Sequence, residues 1–135
     1  ENIQKFHFTF EQEDSLTSEL GEVSTYLFDP NVSILKAGAF KSIAKRFNFN
    51  KLSINTHLYT SIEWVDHFPG RHFQVIKEVK LKKGLFPKAN IICKNYPLKP
   101  EQIKTKFKIK DGGDLFLIAY TDNKNRRRVM LCKKI

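Results

Sequence analysis

Apolar and polar residues alternate in several stretches of the chain, and each such stretch predicts a β-strand with one buried face. The first is KFHFTF at residues 5–10, in which a phenylalanine occupies every second position. The last two predicted strands flank the turn-forming sequence DNKN, so together they predict a β-hairpin. The strands are predicted at residues 5–10, 26–28, 56–61, 71–81, 90–98, 114–122 and 126–135.

A longer period marks two helices. Between residues 30 and 47, apolar residues recur at three- and four-residue steps, which predicts one amphipathic helix. Asp29 suits the cap of this helix, and Pro30 suits its first position, where a backbone N–H is not needed. A second helix is predicted to begin at Pro100, with Ile103 and Phe107 on its buried side. The order β, β, α, β, β, β, α, β, β predicts an α+β fold, in which two main helices cover a mostly antiparallel sheet or sheets.

The 135-residue chain has a formal net charge of +10, and its charges are unevenly distributed. Residues 1–30 contain seven acidic residues and one lysine, whereas residues 31–135 contain 23 basic and seven acidic residues. Residues 31–135 are so basic that we expect an anionic partner, most readily RNA or DNA. The alternative is a basic surface that serves only solubility. No apolar run approaches the ~18 residues of a membrane span, and no signal peptide is visible. We therefore expect a cytoplasmic location and no membrane partner.

The sequence offers little that is typical of an active site. The glycine pair Gly112 and Gly113 follows a predicted helix and precedes a predicted strand. A loop that cradles phosphate needs the reverse order, so we expect the pair to end the helix. The four histidines, Cys93 and Cys132 lack the spacing of a metal site, and both cysteines are expected to be free, buried thiols. We expect no catalytic residue, no cofactor site and no metal site in this chain.

Several short motifs give the chain a resemblance to a known family. LFDPNVSILKAGAF and HLYTS resemble the small ferredoxin-like module of bacterial class I S-adenosylmethionine-dependent methyltransferase-like proteins. FPGR and the ending GGD…RRRVMLC resemble the THUMP-like domain that ends the same proteins. The resemblance implies a ferredoxin-like module over residues 1–67 and a THUMP-like module over residues 68–135. Because the chain has no G-x-G motif, S-adenosylmethionine would bind an upstream domain and not this chain.

The resemblance also implies a function, because THUMP domains are generally RNA-binding appendages of RNA-modifying enzymes. The chain would be a non-catalytic, C-terminal accessory region that holds ribosomal or transfer RNA for an upstream methyltransferase domain of the same polypeptide. The alternative is a structural module that braces the catalytic domain and does not contact RNA.

Clustered basic residues are the candidates for contacts with RNA phosphates. In an extended strand Arg126 and Arg128 share a face, and Arg127 takes the other. Lysine occupies every second position of residues 104–110; these lysines line one face if the segment is extended, but only Lys104 and Lys108 share a stripe if it is helical. The predicted nucleic-acid-binding residues are Arg71, Lys94, Lys104, Lys106, Lys108, Arg126, Arg127 and Arg128.

Overall fold

The computed structural model describes residues 20–37, 47, 49–65 and 68–135. The strand predicted at residues 5–10 therefore lies outside the described residues. The elements are β1 (Tyr26–Pro30), α1 (Val32–Ala37), β2 (Asn50–Ser53), β3 (Thr56–Ser61), β4 (Gly70–Glu78), β5 (Asn90–Lys94), α2 (Pro100–Phe107), β6 (Leu115–Thr121) and β7 (Arg127–Lys134).

All seven strands belong to one continuous sheet in the order β2-β3-β1-β4-β7-β6-β5. Neighbouring strands are antiparallel, except that β5 and β6 are parallel and are connected through α2. β6 and β7 form the predicted hairpin, with Leu117 opposite Leu131 and Thr121 opposite Arg127. Pairing of β1 with β4 joins β1–β3 to β4–β7, so the two parts share one set of backbone hydrogen bonds.

The predicted fold class is wrong. In the described residues, helices of six and eight residues accompany a mixed seven-stranded sheet, in place of two main helices that cover a mostly antiparallel one. The first helix begins at Val32 and not at Pro30, because β1 continues to Pro30 through its pairing with Gly70. Most of the rest of that predicted helix, residues 38–46, lies outside the described part of the chain.

Two further local features differ from the prediction. The sequence did not predict β2, because its four residues, NKLS, are too few to show a clear alternation. The end of α2 is set by Lys108, which adopts the left-handed conformation at φ 56°, and not by the glycine pair. Gly112 and Gly113 also have positive φ, at 115° and 81°, but they build the turn that leads into β6.

The core consists of three clusters separated by the sheet. The inner cluster draws a side chain from every strand, including the fully buried Leu27, Phe73 and Tyr120. The first outer cluster lies behind β1 and β3, and the second outer cluster lies between α2 and the strands β6 and β7. The first outer cluster is Phe28, Phe49, Tyr59 and Phe68; the second is Ala89, Ile103, Ile109, Leu117, Ala119, Val129 and Leu131.

The inner cluster is enclosed because the sheet curls. β3 and β5 are not neighbours in the strand order, yet the end of β5 approaches the start of β3. The Thr56 hydroxyl donates a hydrogen bond to the Thr121 carbonyl at 2.6 Å, and the Asn95 amide donates one to the Thr56 hydroxyl at 3.3 Å. The Thr121 hydroxyl donates in turn to the Asn95 carbonyl. These bonds hold the two halves of the sheet together at a seam between β3 and β5.

Among the described residues, no helix combines the length and the apolar composition needed to cross a membrane.

Candidate nucleic-acid interface

Arg126 and Arg128 lie on one side of the hairpin, as strand alternation predicts, and both are held by carboxylates. The Glu22 carboxylate accepts hydrogen bonds from both guanidiniums, at 3.1 Å from Arg126 and 2.6 Å from Arg128. Arg126 Nε also donates to the buried Asp122 at 2.7 Å, and Arg128 donates to both carboxylate oxygens of Glu78, at 3.2 and 2.8 Å. The two arginines thus face three carboxylates, which leaves this cluster without an excess of positive charge.

The electrostatics of the cluster agree with this structural role. The hydrogen bond from Arg128 is the main reason that the pKa of Glu78 is lowered. Burial by itself would raise the pKa of Asp122, but hydrogen bonds from the backbone and guanidinium of Arg126 outweigh burial and lower it. The pKa of Arg128 is raised, chiefly by its bond to Glu78. We infer that both arginines anchor the hairpin to β4 and to the segment that precedes β1.

Arg71 and Lys94 share a single buried carboxylate. Asp29 on β1 has a side chain only 5% exposed, and its Oδ2 accepts from Arg71 Nη2 at 2.7 Å and from Nε at 3.1 Å. Lys94 Nζ lies 2.9 Å from Oδ1 of the same carboxylate. Because Arg71 is on β4 and Lys94 ends β5, this ion triad ties three strands together. Arg71 lies at the start of β4, whereas Lys80 follows the end of that strand, so the two are far apart.

Lys104, Lys106, Lys108 and Arg127 complete the predicted set. Lys104 forms a 2.6 Å ion pair with the exposed Asp111. Lys106 is exposed, with its ammonium 5.5 Å from the centre of the Phe107 ring, and Lys108 is exposed at the end of α2. Arg127 is exposed and donates to the Asn125 carbonyl at 3.0 Å, without a carboxylate partner among the described residues. Of the eight predicted residues, these last three are free to meet an external anion.

A larger group of exposed lysines accompanies these three. Residues 79–89 and 98–109 both pack onto the second outer cluster, through side chains such as Leu81, Phe86 and Leu98. The two segments are joined by hydrogen bonds from the Lys110 amide to the Pro87 carbonyl and from the Ala89 amide to the Lys110 carbonyl. Their exposed lysines therefore lie over one outer side of the sheet. This lysine face comprises Lys80, Lys82, Lys83, Lys88, Lys99, Lys106, Lys108 and Lys110.

Six members of the lysine face are missing from the predicted set. None of the eight forms an ion pair with a carboxylate in the part of the chain that the structure describes. The sequence did hold a signal for them, because residues 79–114 contain ten lysines but three acidic residues. The arginine triplet is more conspicuous in the sequence, but two of its members are paired with Asp122 nearby and with Glu22 and Glu78 far away in the chain.

His57 and the two cysteines are perturbed by burial and not activated by it. Burial is the main cause that lowers the pKa of His57 to about 4, and the charges of Lys51 and Lys94 lower it further. Burial raises the pKa of Cys93 to about 11 and that of Cys132 to about 12, so both free thiols stay protonated at neutral pH. Within the described ranges, no three His, Cys, Asp or Glu side chains come together as a metal site.

Comparison with known proteins gives matches to two family models. Residues 26–69 match a model described as a ferredoxin-like domain, and residues 70–134 match one described as THUMP domain-like. The chain is also similar to a crystal structure from Porphyromonas gingivalis W83, described as a "putative methyltransferase", with 33% sequence identity and a TM-score of 0.93. That similarity covers 99% of this chain but 35% of the other. Among curated proteins, none matches significantly.

The boundary between the two matches falls directly before β4, so the ferredoxin-like part supplies β1–β3 and the THUMP-like part supplies β4–β7. The recognition made from the sequence motifs is thereby confirmed. Residues 26–69 are thus similar to a ferredoxin-like domain, and residues 70–134, which follow directly, are similar to a THUMP-like one.

Proposed function

We propose that this chain is an RNA-binding accessory region of a methyltransferase and that RNA lies along the lysine face. The similar structure from Porphyromonas gingivalis W83 is described as a "putative methyltransferase", and this chain corresponds to 35% of its length. In this proposal, S-adenosylmethionine and the catalytic groups belong to a separate domain of the same polypeptide. The chain itself contributes affinity and orientation for ribosomal or transfer RNA.

The observation that carries the proposal is the contrast between two sets of cations. The arginines of the hairpin and of β4 are paired with carboxylates, whereas the eight lysines of the lysine face are exposed without such partners in the described structure. Unpaired ammonium groups release condensed counterions from RNA when they contact phosphates, and this release supplies sequence-independent affinity. Internally paired arginines would first have to give up their carboxylates, so they contribute little.

The test is a salt titration of RNA binding with charge-matched variants. Replacing Lys106, Lys108 and Lys110 together by Gln should weaken binding and make the salt slope shallower by about 2, since each lost phosphate contact on a single strand removes roughly 0.7. The control replaces Lys36, Lys124 and Lys134, which are exposed but lie on α1, the hairpin tip and the end of β7.

Both triple variants lose the same net charge. Equal losses of affinity in the two would show that RNA responds only to total charge, and the lysine face would lose its role. Unchanged binding by wild-type protein between low and high salt would remove the proposal altogether.

A second candidate function is the alternative named above, a module that braces the catalytic domain. The observation that favours it is a group of exposed apolar side chains after β3, where Ile62 is 73% and Trp64 is 42% exposed. Trp64 packs edge-on against Tyr26 on β1 and His72 on β4, with ring centroids 5.6 and 5.2 Å away, so it is held in place where the ferredoxin-like and THUMP-like parts meet. Loss of catalytic-domain binding in Trp64→Ala, together with unchanged RNA affinity, would favour bracing.

A further inference from the structure

One aromatic side chain stands at the edge of the lysine face, and its surroundings differ from those of the core aromatics. Tyr96 follows β5 and is half-buried against the second outer cluster. The residues on either side of it, Asn95 and Pro97, are exposed, and Asn95 has a left-handed backbone with φ 52°. This turn carries the chain out of the sheet, so that Tyr96 lies beside solvent and is not enclosed between layers.

Strand register brings Arg127 to the same place. Tyr120 pairs with both Lys94 and Arg128, and the next residue, Thr121, pairs with Arg127. Arg127 shares its side of β7 with Val129 and Leu131, and these two belong to the second outer cluster, against which Tyr96 packs. Both side chains therefore lie on the outer side of the sheet, at the same end.

The electrostatic environment of the phenol is consistent with this proximity. Burial raises the pKa of Tyr96, and the positive charge of Arg127 acts against that rise. Lys99, at the start of α2, adds a further exposed cation three residues after Tyr96. The site thus combines a partly exposed aromatic ring, a guanidinium without a carboxylate partner in the described structure, and continuity with the lysine face.

We propose that Tyr96 and Arg127 hold one unpaired nucleotide of the bound RNA, with the base stacked on the Tyr96 ring and the adjoining phosphate on Arg127. This inference rests on the proposed function and adds a preference for single-stranded over fully paired RNA. A base has an exposed face only when it leaves a duplex, whereas phosphates are available in both forms.

The experiment compares the affinities of wild type, Tyr96→Ala, Tyr96→Phe and Arg127→Ala for an unstructured RNA of about ten nucleotides and for a duplex of equal length. Tyr96→Ala should weaken single-strand binding about ten-fold, the loss typical of one base–aromatic stack, and should leave duplex binding unchanged. Tyr96→Phe should bind like wild type, because stacking needs the ring and not the hydroxyl.

Arg127→Ala should weaken binding of both RNAs and make the salt slope on the single strand shallower by about 0.7. Lys134→Ala, on the same strand but at its other end, removes an equal charge and should leave the ratio of single-strand to duplex affinity unchanged. A 2-aminopurine base in the single strand reports stacking directly, since its fluorescence should be quenched by wild type and by Tyr96→Phe but not by Tyr96→Ala.

Two failures are distinguishable. If wild type binds RNA with a normal salt slope but Tyr96→Ala binds the single strand equally well and still quenches 2-aminopurine, the stacking site is refuted and the lysine face stands. If wild type binds neither RNA at low salt, the proposed function fails, and the nucleotide site fails with it.

Discussion

The ion triad gives the sharpest prediction, because one buried carboxylate holds two cations from different strands. The perturbation is Asp29→Asn, which keeps the size of the side chain but removes its charge. In the native structure Asp29 is 5% exposed, whereas Arg71 is 46% and Lys94 is 22% exposed. After the substitution both cations lose their counter-charge, and Lys94 is the one less able to recover water.

The expected cost lies between two limits. Breaking a fully buried ion pair costs about 3–5 kcal/mol, whereas exposed pairs contribute about 0–1 kcal/mol. Because the carboxylate is buried but both cations reach solvent, we expect Asp29→Asn to lower the free energy of unfolding by about 2 kcal/mol. For a chain of this length, that corresponds to a fall in Tm of about 8 °C.

The assay is urea unfolding followed by circular dichroism, with Asp111→Asn as the matched control. Asp111 forms an ion pair of 2.6 Å with Lys104, as short as the bonds to Asp29, but its side chain is 70% exposed. The control should therefore cost less than about 0.5 kcal/mol. In a double-mutant cycle, Asp29→Asn combined with Lys94→Met should cost about 1 kcal/mol less than the sum of the two single changes.

Equal costs for Asp29→Asn and Asp111→Asn would refute the reasoning, since Asp29 is buried and holds two cations, whereas Asp111 is exposed and holds one. Strict additivity in the double-mutant cycle would show that Lys94 and Asp29 do not depend on each other for stability.

Three further predictions concern other parts of the fold. Gly70→Ala should cost about 3 kcal/mol, because its Cβ would lie 2.0 Å from a backbone carbonyl oxygen of β1. The control is Gly84→Ala, which meets no atom within 4 Å; because Gly84 has φ 80°, this change should cost about 1 kcal/mol in backbone strain alone. Comparable urea midpoints for the two variants would contradict the clash. Arg128 holds the pKa of Glu78 below its usual value near 4.5, so this pair stabilises the fold above that pH, and the contribution is lost as pH falls through the lowered pKa. Glu78→Gln should therefore lose less stability than wild type between about pH 5 and pH 3. Parallel plots of unfolding free energy against pH for the two proteins would argue against this. In a Cys93→Ser background, Cys132, with its pKa raised by burial to about 12, should react with Ellman's reagent at pH 8 only after unfolding; rapid labelling of that native variant would show that the thiol is accessible.

The sequence predicted local elements well where their signal is local. The strands of the hairpin, β6 and β7, follow from alternation around the turn DNKN, and α2 follows from Pro100 and the spacing of Ile103 and Phe107. The curled sheet could not be predicted in the same way. It depends on pairing of Asp29 with Arg71 and on the Thr56–Thr121 hydrogen bond, which join residues 42 and 65 positions apart.

The same distinction explains the outcome for the basic residues. The sequence shows that Arg126 and Arg128 are close to each other. It does not show their carboxylate partners, because Glu22 is 104 residues from Arg126 and Glu78 is 50 residues from Arg128. A cation that pairs with a carboxylate far away in the chain is no longer free to bind an external anion. By contrast, the lysine face arises from short segments that pack onto one cluster, so the local excess of lysine is visible in the sequence even though six of the eight lysines were not in the predicted set.

Direct pairing of β1 with β4 across the boundary between the two family matches has a consequence for how the molecule can work and how it can be dissected. Cutting the chain there would leave two open strand edges, a known route to aggregation, so neither half should be expected to behave well by itself. Tandem domains usually pivot about a linker, but here a ladder of hydrogen bonds takes the place of a hinge. A nucleic acid held on the THUMP-like half would then keep a fixed orientation relative to the ferredoxin-like half, and the two halves together would serve as a rigid spacer.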